Sequence, residues 1–376
     1  MSGIYIHIPF CKKICYYCDF YFSLNLSNKK DYLVSLLKEI EIRKDYLCDK
    51  KIETIYFGGG TPSVLSALEI NQIYNHLSQF YELSNVTEIT LEANPNDLSY
   101  DYLYSLKKTK INRLSIGIQS FDNNHLMLMN RRHNSDDAFK CVKLAQDFGF
   151  ENITIDLMYG LPELTSEKWL SNINFAITLG VKHISAYHLS IEPHTAFHKF
   201  LNTKRISLPT EDESLLQYNV LVETLKNNGF LHYEISNFAL NGYLAIHNSN
   251  YWKQKNYIGF GSSAHSFNGS QRQWNISNNF KYINALNTNT EYFEVENLLL
   301  KDKFNEYLLT SLRTFWGVDI TYIKNTFPIK YCTIFENRIS HYLVESLAVK
   351  NGTNYSLTEK GFFVSDTIIS DLFVTD

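Results

Sequence analysis

The stretch Cys11-Lys12-Lys13-Ile14-Cys15-Tyr16-Tyr17-Cys18 places three cysteines in the spacing C-x3-C-x2-C, directly after a β-branched run at residues 4–8. The other cysteines, Cys48, Cys141 and Cys332, are scattered, and we expect them to be ordinary core or surface thiols. In a reducing compartment a disulfide framework is disfavoured. Cysteines bunched on one loop of a cytoplasmic chain are typical of a metal site.

The three-cysteine loop favours an iron-sulfur cluster. Three thiolates suit three corners of a cubic 4Fe-4S cluster, whose irons normally take four cysteines. The remaining iron could then chelate the amine and carboxylate of S-adenosylmethionine, and an electron from the reduced cluster would cleave a carbon-sulfur bond to release a 5'-deoxyadenosyl radical. A zinc site with His7 as the fourth ligand is the alternative.

The same loop lies in a strand-helix repeat. Further β-branched or aromatic runs at residues 54–57, 88–92, 113–118, 152–157 and 183–189 alternate with amphipathic segments. Strand-helix units with right-handed crossovers give a parallel sheet. We therefore expect an α/β fold, a partial (β/α)6 TIM-like barrel, with a doubly wound open sheet as the alternative.

Polar or glycine residues follow almost every predicted strand. Gly58-Gly59-Gly60-Thr61-Pro62 follows the second strand, and Glu92, Gln119 and Asp156 close the next three. A barrel gathers these strand ends at one face, where barrel enzymes place their sites. The glycine stretch lacks the following Gly-Lys-Ser/Thr of a phosphate-binding loop, so it indicates either a close approach to another ligand or a tight strand-to-helix turn.

Charge and periodicity divide the chain into predicted domains. The barrel is expected over residues 1–235, a barrel-closing segment over 236–290, and a small helical or winged-helix domain over 291–376. The chain has 35 basic and 39 acidic residues, and eight of the basic and twelve of the acidic ones lie in 291–376. The net charge of -4 thus belongs to the tail, which argues against a nucleic-acid partner because binding phosphates needs a basic face.

The sequence also predicts a cytoplasmic location. No apolar run approaches the ~18 residues that a membrane span needs. Residues 1–9 alternate apolar and polar side chains and lack a basic start, so they do not form a signal peptide.

Longer stretches resemble the radical SAM enzymes, and among them the oxygen-independent coproporphyrinogen III oxidases and the related heme chaperones. The stretches that carry the resemblance are residues 5–11, 56–62, 117–121, 156–162 and 259–266. The resemblance covers nearly the whole chain. It implies a 4Fe-4S cluster on Cys11, Cys15 and Cys18, bound S-adenosylmethionine, and a reducing electron donor such as flavodoxin or ferredoxin.

The resemblance also implies which residues contact S-adenosylmethionine. They are Tyr5, Gly59, Gly60, Thr61, Glu92, Gln119, Arg131 and Asp156. A sulfonium with a zwitterionic tail and a ribose diol needs carboxylate, amide and guanidinium partners. Any one of these residues alone could be an ordinary polar residue at a strand end, and their shared place on one barrel rim favours the binding role.

Two features separate the oxidases from the chaperones. Phe20 stands where the oxidase pattern has a fourth cysteine, and only ten residues precede Cys11. The stretch His247-Asn248-Ser249-Asn250-Tyr251-Trp252 fits H-N-x-x-Y-W, a motif similar to that of the heme chaperones. His247 could be an axial iron ligand, with Tyr251 and Trp252 packed on the macrocycle, or these side chains could simply belong to the barrel core.

We therefore expect a heme chaperone that binds the cluster, S-adenosylmethionine and heme and delivers heme to an acceptor protein. The alternative is a coproporphyrinogen III dehydrogenase that oxidatively decarboxylates propionates, and a third interpretation is a zinc-stabilised barrel of unrelated activity. No catalytic residue is assigned from the sequence, and homodimer formation stays open.

Overall fold

The computed structural model describes residues 1–375. The strands are β1 (Ser2–Ile8), β2 (Ile52–Gly59), β3 (Glu88–Ala93), β4 (Arg113–Gln119), β5 (Asn152–Tyr159), β6 (His183–His188), β7 (Leu231–Glu234), β8 (Asn237–Ala239), β9 (Tyr257–Phe260), β10 (His265–Phe267), β11 (Gln271–Asn275), β12 (Phe293–Asn297), β13 (Val318–Asp319), β14 (Ala348–Asn351) and β15 (Asn354–Leu357).

The helices alternate with the first strands and then dominate the C-terminal part. They are α1 (Lys29–Ile42), α2 (Ala67–Leu77), α3 (Tyr100–Leu106), α4 (Asn123–Leu128), α5 (Ser135–Asp147), α6 (Ser166–Thr178), α7 (Ala196–Asn202), α8 (Glu211–Asn227), α9 (Ile246–Trp252), α10 (Asn279–Thr288), α11 (Leu300–Ser311), α12 (Ile320–Thr326), α13 (Ile329–Val344), α14 (Glu359–Phe363) and α15 (Ser365–Leu372). None of these helices is long and apolar enough to cross a bilayer.

The centre of the main sheet decides between the two predicted architectures. Strands β1 to β6 are all parallel and lie side by side in chain order. A sequential order places every right-handed crossover on the same face, as in a barrel, whereas a doubly wound sheet reverses its order at a switch point. The partial (β/α)6 barrel is therefore confirmed, and the doubly wound alternative is wrong.

The parallel strands have one apolar and one polar face. Ile4, Ile6 and Ile8 of β1 are fully buried in the apolar core. The intervening positions across the barrel point to the opposite face and are mostly polar: Tyr5, Thr54, Tyr56, Glu88, Glu92, Arg113, Ser115, Thr154, Asp156, His183 and Ser185. A parallel sheet covered by helices on both faces would instead have nearly continuous apolar runs. The polar face is therefore the side of the sheet that ligands and the segments after β6 can occupy.

Strands β8 to β11 of the predicted barrel-closing segment extend the sheet at both ends, together with β7 and β12, which lie just outside its predicted bounds. β9 pairs in parallel with β1 and leads into the antiparallel β10, β11 and β12, while β8 pairs antiparallel with β6 and β7. Within residues 1–375, β12 and β7 end the ladder without pairing to each other, so the hydrogen-bonded sheet stays open. The β7–β8 hairpin spans the predicted boundary at residue 235, and the division into domains stays a prediction.

The C-terminal part combines helices with a small antiparallel sheet in the order β13-β15-β14, as expected for a winged-helix-like unit. It contacts the barrel directly. The Phe315 amide donates to the Tyr233 carbonyl at 3.0 Å, and the Tyr218 hydroxyl donates to the Glu359 carbonyl at 3.2 Å. Helix α11 thereby lies beside the open side of the barrel.

A buried carboxylate on α1 holds the glycine-rich stretch 259–266 in place. Glu39 is fully buried and accepts hydrogen bonds from the Arg43 guanidinium at 3.0 Å, the Tyr282 hydroxyl at 2.6 Å, the Asn275 amide at 2.7 Å and the Gly261 backbone amide at 2.7 Å. All of these donors would lose a partner if the carboxylate were removed.

We expect Glu39→Ala to lower the free energy of unfolding by about 3–5 kcal/mol, because it leaves Arg43 buried without its counter-charge. Glu41→Ala, an exposed position on the same helix, is the matched control and should change stability little. Chemical denaturation measures both variants. Equal effects of the two substitutions would contradict the structural role of Glu39.

Candidate functional site

The three clustered cysteines lie on the loop that follows β1, and their side chains are half-buried. The Thr61 hydroxyl donates to Cys11 Sγ at 3.3 Å, and Arg131 Nη1 donates to Cys15 Sγ at 3.2 Å. Burial raises the pKa of Cys11 and raises that of Cys18 to about 11. The thiols of Cys11 and Cys18 therefore stay protonated at neutral pH until a metal displaces the protons.

The cysteines open onto a cavity of about 620 Å³, which we call the cluster cavity. Its wall includes all but one of the residues predicted to contact S-adenosylmethionine: Gly59, Gly60, Thr61, Glu92, Gln119, Arg131 and Asp156. The exception is Tyr5, which lines the neighbouring cavity and whose hydroxyl bonds to His7 Nδ1 at 3.0 Å. The barrel thus brings residues from five strands and loops together at one rim.

The donor set fits a cluster better than a single ion. Among residues 1–375, no three His, Cys, Asp or Glu side chains are gathered closely enough to share one ion. His7, the proposed fourth zinc ligand, lines the neighbouring cavity and not the one that the three cysteines line. In a 4Fe-4S cluster each thiolate binds a different iron, so the cysteines need not converge on one point. The geometry therefore does not support the zinc interpretation.

Two half-buried carboxylates, Glu92 and Asp156, line the cluster cavity. Burial raises the pKa of Glu92 to about 7, although Tyr56 Oη at 2.7 Å and the Gly59 amide at 3.1 Å both donate to it. Burial also raises the pKa of Asp156 to about 6. Perturbed carboxylates in a cavity are common at functional sites. A cationic ligand would offset the cost of ionising them here.

Protein contacts alone explain why glycines follow β2. Gly59 has a φ of +111°, and an added Cβ would lie 2.6 Å from the His7 ring. A Cβ on Gly60 would lie 2.9 Å from the Phe10 amide nitrogen. The tight-turn interpretation therefore accounts for both glycines. They also lie on the cavity wall, where they could contact a ligand, but such a contact is not needed to explain why these positions are glycine.

Gln119 and Arg131 also line the cluster cavity. Gln119 has a left-handed backbone, with a φ of +72°, where the register between β4 and β5 shifts. Such backbone strain in a residue other than glycine is concentrated at functional sites. Arg131 bonds to Cys15 Sγ, to Tyr17 Oη at 3.3 Å and to the Gly117 carbonyl, so it places a positive charge directly against the cysteine loop.

A second cavity, of about 790 Å³, lies at the open side of the barrel, and we call it the aromatic cavity. It is lined by barrel residues, the β7–β8 hairpin, α9, β9 to β11, and Glu306 and Thr310 of α11. His247, Tyr251 and Trp252, the predicted heme residues, all lie in its wall. Phe20, Glu92 and Tyr187 line both cavities, so the two are adjacent.

His247 is held tightly in that wall. Its Nδ1 bonds to Thr54 Oγ1 and its Nε2 to Tyr251 Oη, each at 2.8 Å, and the residue is 2% exposed. Glu88 accepts a hydrogen bond from the His247 backbone amide, and burial lowers the pKa of the His247 imidazole to about 3. Both ring nitrogens are thus occupied, so in this conformation neither can bind iron, and the alternative of a hydrogen-bonded barrel residue describes the geometry better.

Several cavity residues were missed by the sequence reasoning. Tyr56 and Tyr187 occupy inward positions of β2 and β6, so strict period-2 counting along the predicted strands could have found them. Glu234, His265 and Arg272 also line the aromatic cavity, but they come from short strands in a stretch without clear periodicity. No sequence signal placed them at a site.

Glu234 is a buried carboxylate whose effect on stability can be measured. Burial raises its pKa to about 7, and its Oε1 has no hydrogen-bond partner among residues 1–375. Because the folded-state pKa exceeds the ordinary value of 4.5, ionisation costs stability as the pH rises from about 4.5 to 7.

We expect Glu234→Gln to stabilise the protein by roughly 3 kcal/mol at about pH 8 and by little at about pH 4, since glutamine avoids that cost. Denaturation at both pH values measures the difference, with exposed Glu223→Gln as the control. A stabilisation that does not depend on pH would contradict the assignment.

The half barrel with a polar interior, and the three-cysteine loop beside a cavity at the carboxyl ends of its strands, define a protein of the radical SAM class. A family model described as the radical SAM superfamily matches residues 5–176.

Comparison with known proteins narrows the class. The chain is 34% identical to "Heme chaperone HemW" of Lactococcus lactis over 376 residues, covering 100% of this chain and 98% of that protein. It is 35% identical to the protein of the same name from Bacillus subtilis, covering 88% and 87% of the two chains. The chain therefore belongs to the HemW family of radical SAM proteins.

A solved structure supports the fold. Coproporphyrinogen III oxidase (HemN) from Escherichia coli superposes with a TM-score of 0.85, covering 99% of this chain and 90% of that one. The two sequences are 22% identical, so this likeness concerns the architecture alone.

Proposed function

We propose that this chain is a heme chaperone, which binds heme in the aromatic cavity and delivers it to an acceptor protein. The observation that carries the proposal is the position of the H-N-x-x-Y-W residues His247, Tyr251 and Trp252 in the wall of a large cavity beside the cluster cavity. The relatives named heme chaperones, similar over nearly the full chain, support the same function.

The aromatic cavity has the chemistry that a tetrapyrrole requires. Its volume of about 790 Å³ lies in the range of pockets that enclose cofactors. Tyr5, Tyr56, Tyr251, Tyr257 and Trp252 present rings that can pack on a flat macrocycle. Lys255 and Arg272 add cations, which pair with Glu53 and Glu306 in the heme-free protein and could pair with propionates instead.

The proposal includes the cofactors of the cluster cavity. Cys11, Cys15 and Cys18 would hold a 4Fe-4S cluster, and the surrounding carboxylates, glycines, Gln119 and Arg131 would hold S-adenosylmethionine. Such a cluster supplies an electron when an external donor such as flavodoxin or ferredoxin reduces it. A cytoplasmic location and a heme-acceptor protein complete the proposal.

One observation favours the alternative function. Because Glu92 and Tyr187 belong to both cavities, a reactive species formed in the cluster cavity would be close to a porphyrinogen in the aromatic cavity. This arrangement suits a coproporphyrinogen III dehydrogenase. Phe20, in place of a fourth cysteine, and the H-N-x-x-Y-W stretch favour the chaperone.

Heme transfer distinguishes the two functions. Anaerobically reconstituted protein loaded with heme is mixed with apomyoglobin as a model acceptor, and the absorption spectrum is followed with and without S-adenosylmethionine. We expect the heme spectrum to change to that of holomyoglobin. Conversion of coproporphyrinogen by protein that neither binds nor releases heme would overturn the proposal in favour of the dehydrogenase.

A further inference from the structure

His265 is the histidine of the aromatic cavity best placed to bind a metal. It lies on β10, it is exposed, and it lines the cavity. Its ring stacks on Trp274 with centroids 6.2 Å apart. Among residues 1–375, no group forms a hydrogen bond with the His265 ring. Both ring nitrogens are thus free to accept a ligand, in contrast to those of His247.

The third histidine of this cavity, His7, is also less suitable. His7 is 5% exposed, its ring lies against Gly59, and its Nδ1 is bonded to the Tyr5 hydroxyl. Its Nε2 lacks a partner but has almost no accessible surface. An iron atom in the cavity could reach this nitrogen only after the surrounding strands moved.

A positive charge lies near His265 on the same hairpin face. In the β10–β11 pairing, His265 is opposite Trp274 and Phe267 is opposite Arg272. His265 and Arg272 are therefore diagonal neighbours on one face, about 7–8 Å apart. Arg272 Nη2 pairs with Glu306 of α11 at 2.9 Å, whereas its Nε is buried without a partner among residues 1–375.

We propose that His265, rather than His247, is the protein ligand of the heme iron, and that Arg272 binds a propionate of the same heme. This assignment rests on the proposed heme binding and specifies which side chains would hold the heme. An imidazole bound to the iron and a guanidinium paired with a propionate would together fix the orientation of the macrocycle in the cavity. In the heme-free protein Glu306 takes the place of the propionate on Arg272, so heme entry exchanges one carboxylate for another.

Heme titration of variants tests the iron ligand. Ferric heme is added anaerobically to the unchanged protein, to reconstituted His265→Ala and to the control His341→Ala, which removes an exposed histidine on α13. We expect His265→Ala to weaken binding about tenfold or more and to lose the spectrum of histidine-ligated heme, with free imidazole restoring that spectrum. His341→Ala should keep it.

The same titrations separate the possible failures. If the unchanged protein shows no saturable heme binding, the proposed function fails. If it binds heme and His265→Ala keeps both affinity and spectrum, only the assignment of His265 fails.

The propionate contact has its own control pair. Arg272→Gln should weaken heme binding about tenfold and should remove the preference for heme over heme dimethyl ester, which lacks the charged propionates. Glu306→Gln frees Arg272 and should leave heme affinity unchanged or increase it. If the Arg272–Glu306 pair only held α11 in place, both variants would weaken binding equally, which would contradict the proposed contact.

Discussion

Alanine in place of Cys11, Cys15 or Cys18 is expected to lower the iron content of the anaerobically reconstituted protein from roughly four atoms per chain to near zero. Each thiolate binds a different iron of a cubic cluster, and the loop offers no spare cysteine, since Phe20 stands two residues after Cys18. Loss of one corner leaves two irons without protein ligands. The variants should also lose the broad visible absorption of the cluster.

Cys48→Ala is the matched control, because Cys48 is an exposed thiol away from the cluster cavity. Iron and sulfide assays and absorption spectroscopy compare the four variants. Thermal denaturation shows whether each variant remains folded. Full iron content in any of the three loop variants, or zinc in place of iron in the unchanged protein, would contradict the cluster assignment.

Filling the aromatic cavity should abolish heme binding while leaving the cluster intact. Thr310 lines the cavity from α11, and its hydroxyl donates to the Glu306 carbonyl one turn earlier, at 2.8 Å. Tryptophan at this position puts an indole where the macrocycle would lie. We expect Thr310→Trp to weaken heme binding by at least about a hundredfold, with iron content unchanged.

Thr333→Trp is the control for a bulky substitution. Thr333 also donates its hydroxyl to a carbonyl one turn earlier, that of Ile329 at 3.1 Å, but it is exposed on α13 and lines neither cavity. Heme titration with thermal denaturation separates blocked binding from unfolding. If folded Thr310→Trp bound heme as tightly as the unchanged protein, heme would have to lie elsewhere.

The barrel and the cluster cavity were predictable because local sequence determines them. Each parallel strand has its own β-branched run, and the polar residue at its carboxyl end is brought to the rim by the handedness of the crossover. Cys11, Glu92 and Asp156 could therefore be assigned to one site before their distances were known.

The aromatic cavity was less predictable because its wall comes from segments far apart in the chain. β10 has three residues and β11 has five, too few to show periodicity, and the cavity forms only once α11 packs beside them. The H-N-x-x-Y-W stretch did locate one wall. The hydrogen bonds that occupy both nitrogens of His247 come from Thr54 on β2 and Tyr251 on α9, and such tertiary contacts do not show in a motif.

The central claim is that this radical SAM protein binds heme in the aromatic cavity. Anaerobic heme titration of the cluster-reconstituted protein, with and without S-adenosylmethionine and followed by absorption spectroscopy, tests it most directly. We predict saturation at about one heme per chain, as expected for one cavity of this size, with a defined protein-ligated heme spectrum. A titration that never saturates, in protein that carries its cluster and converts coproporphyrinogen, would contradict the claim.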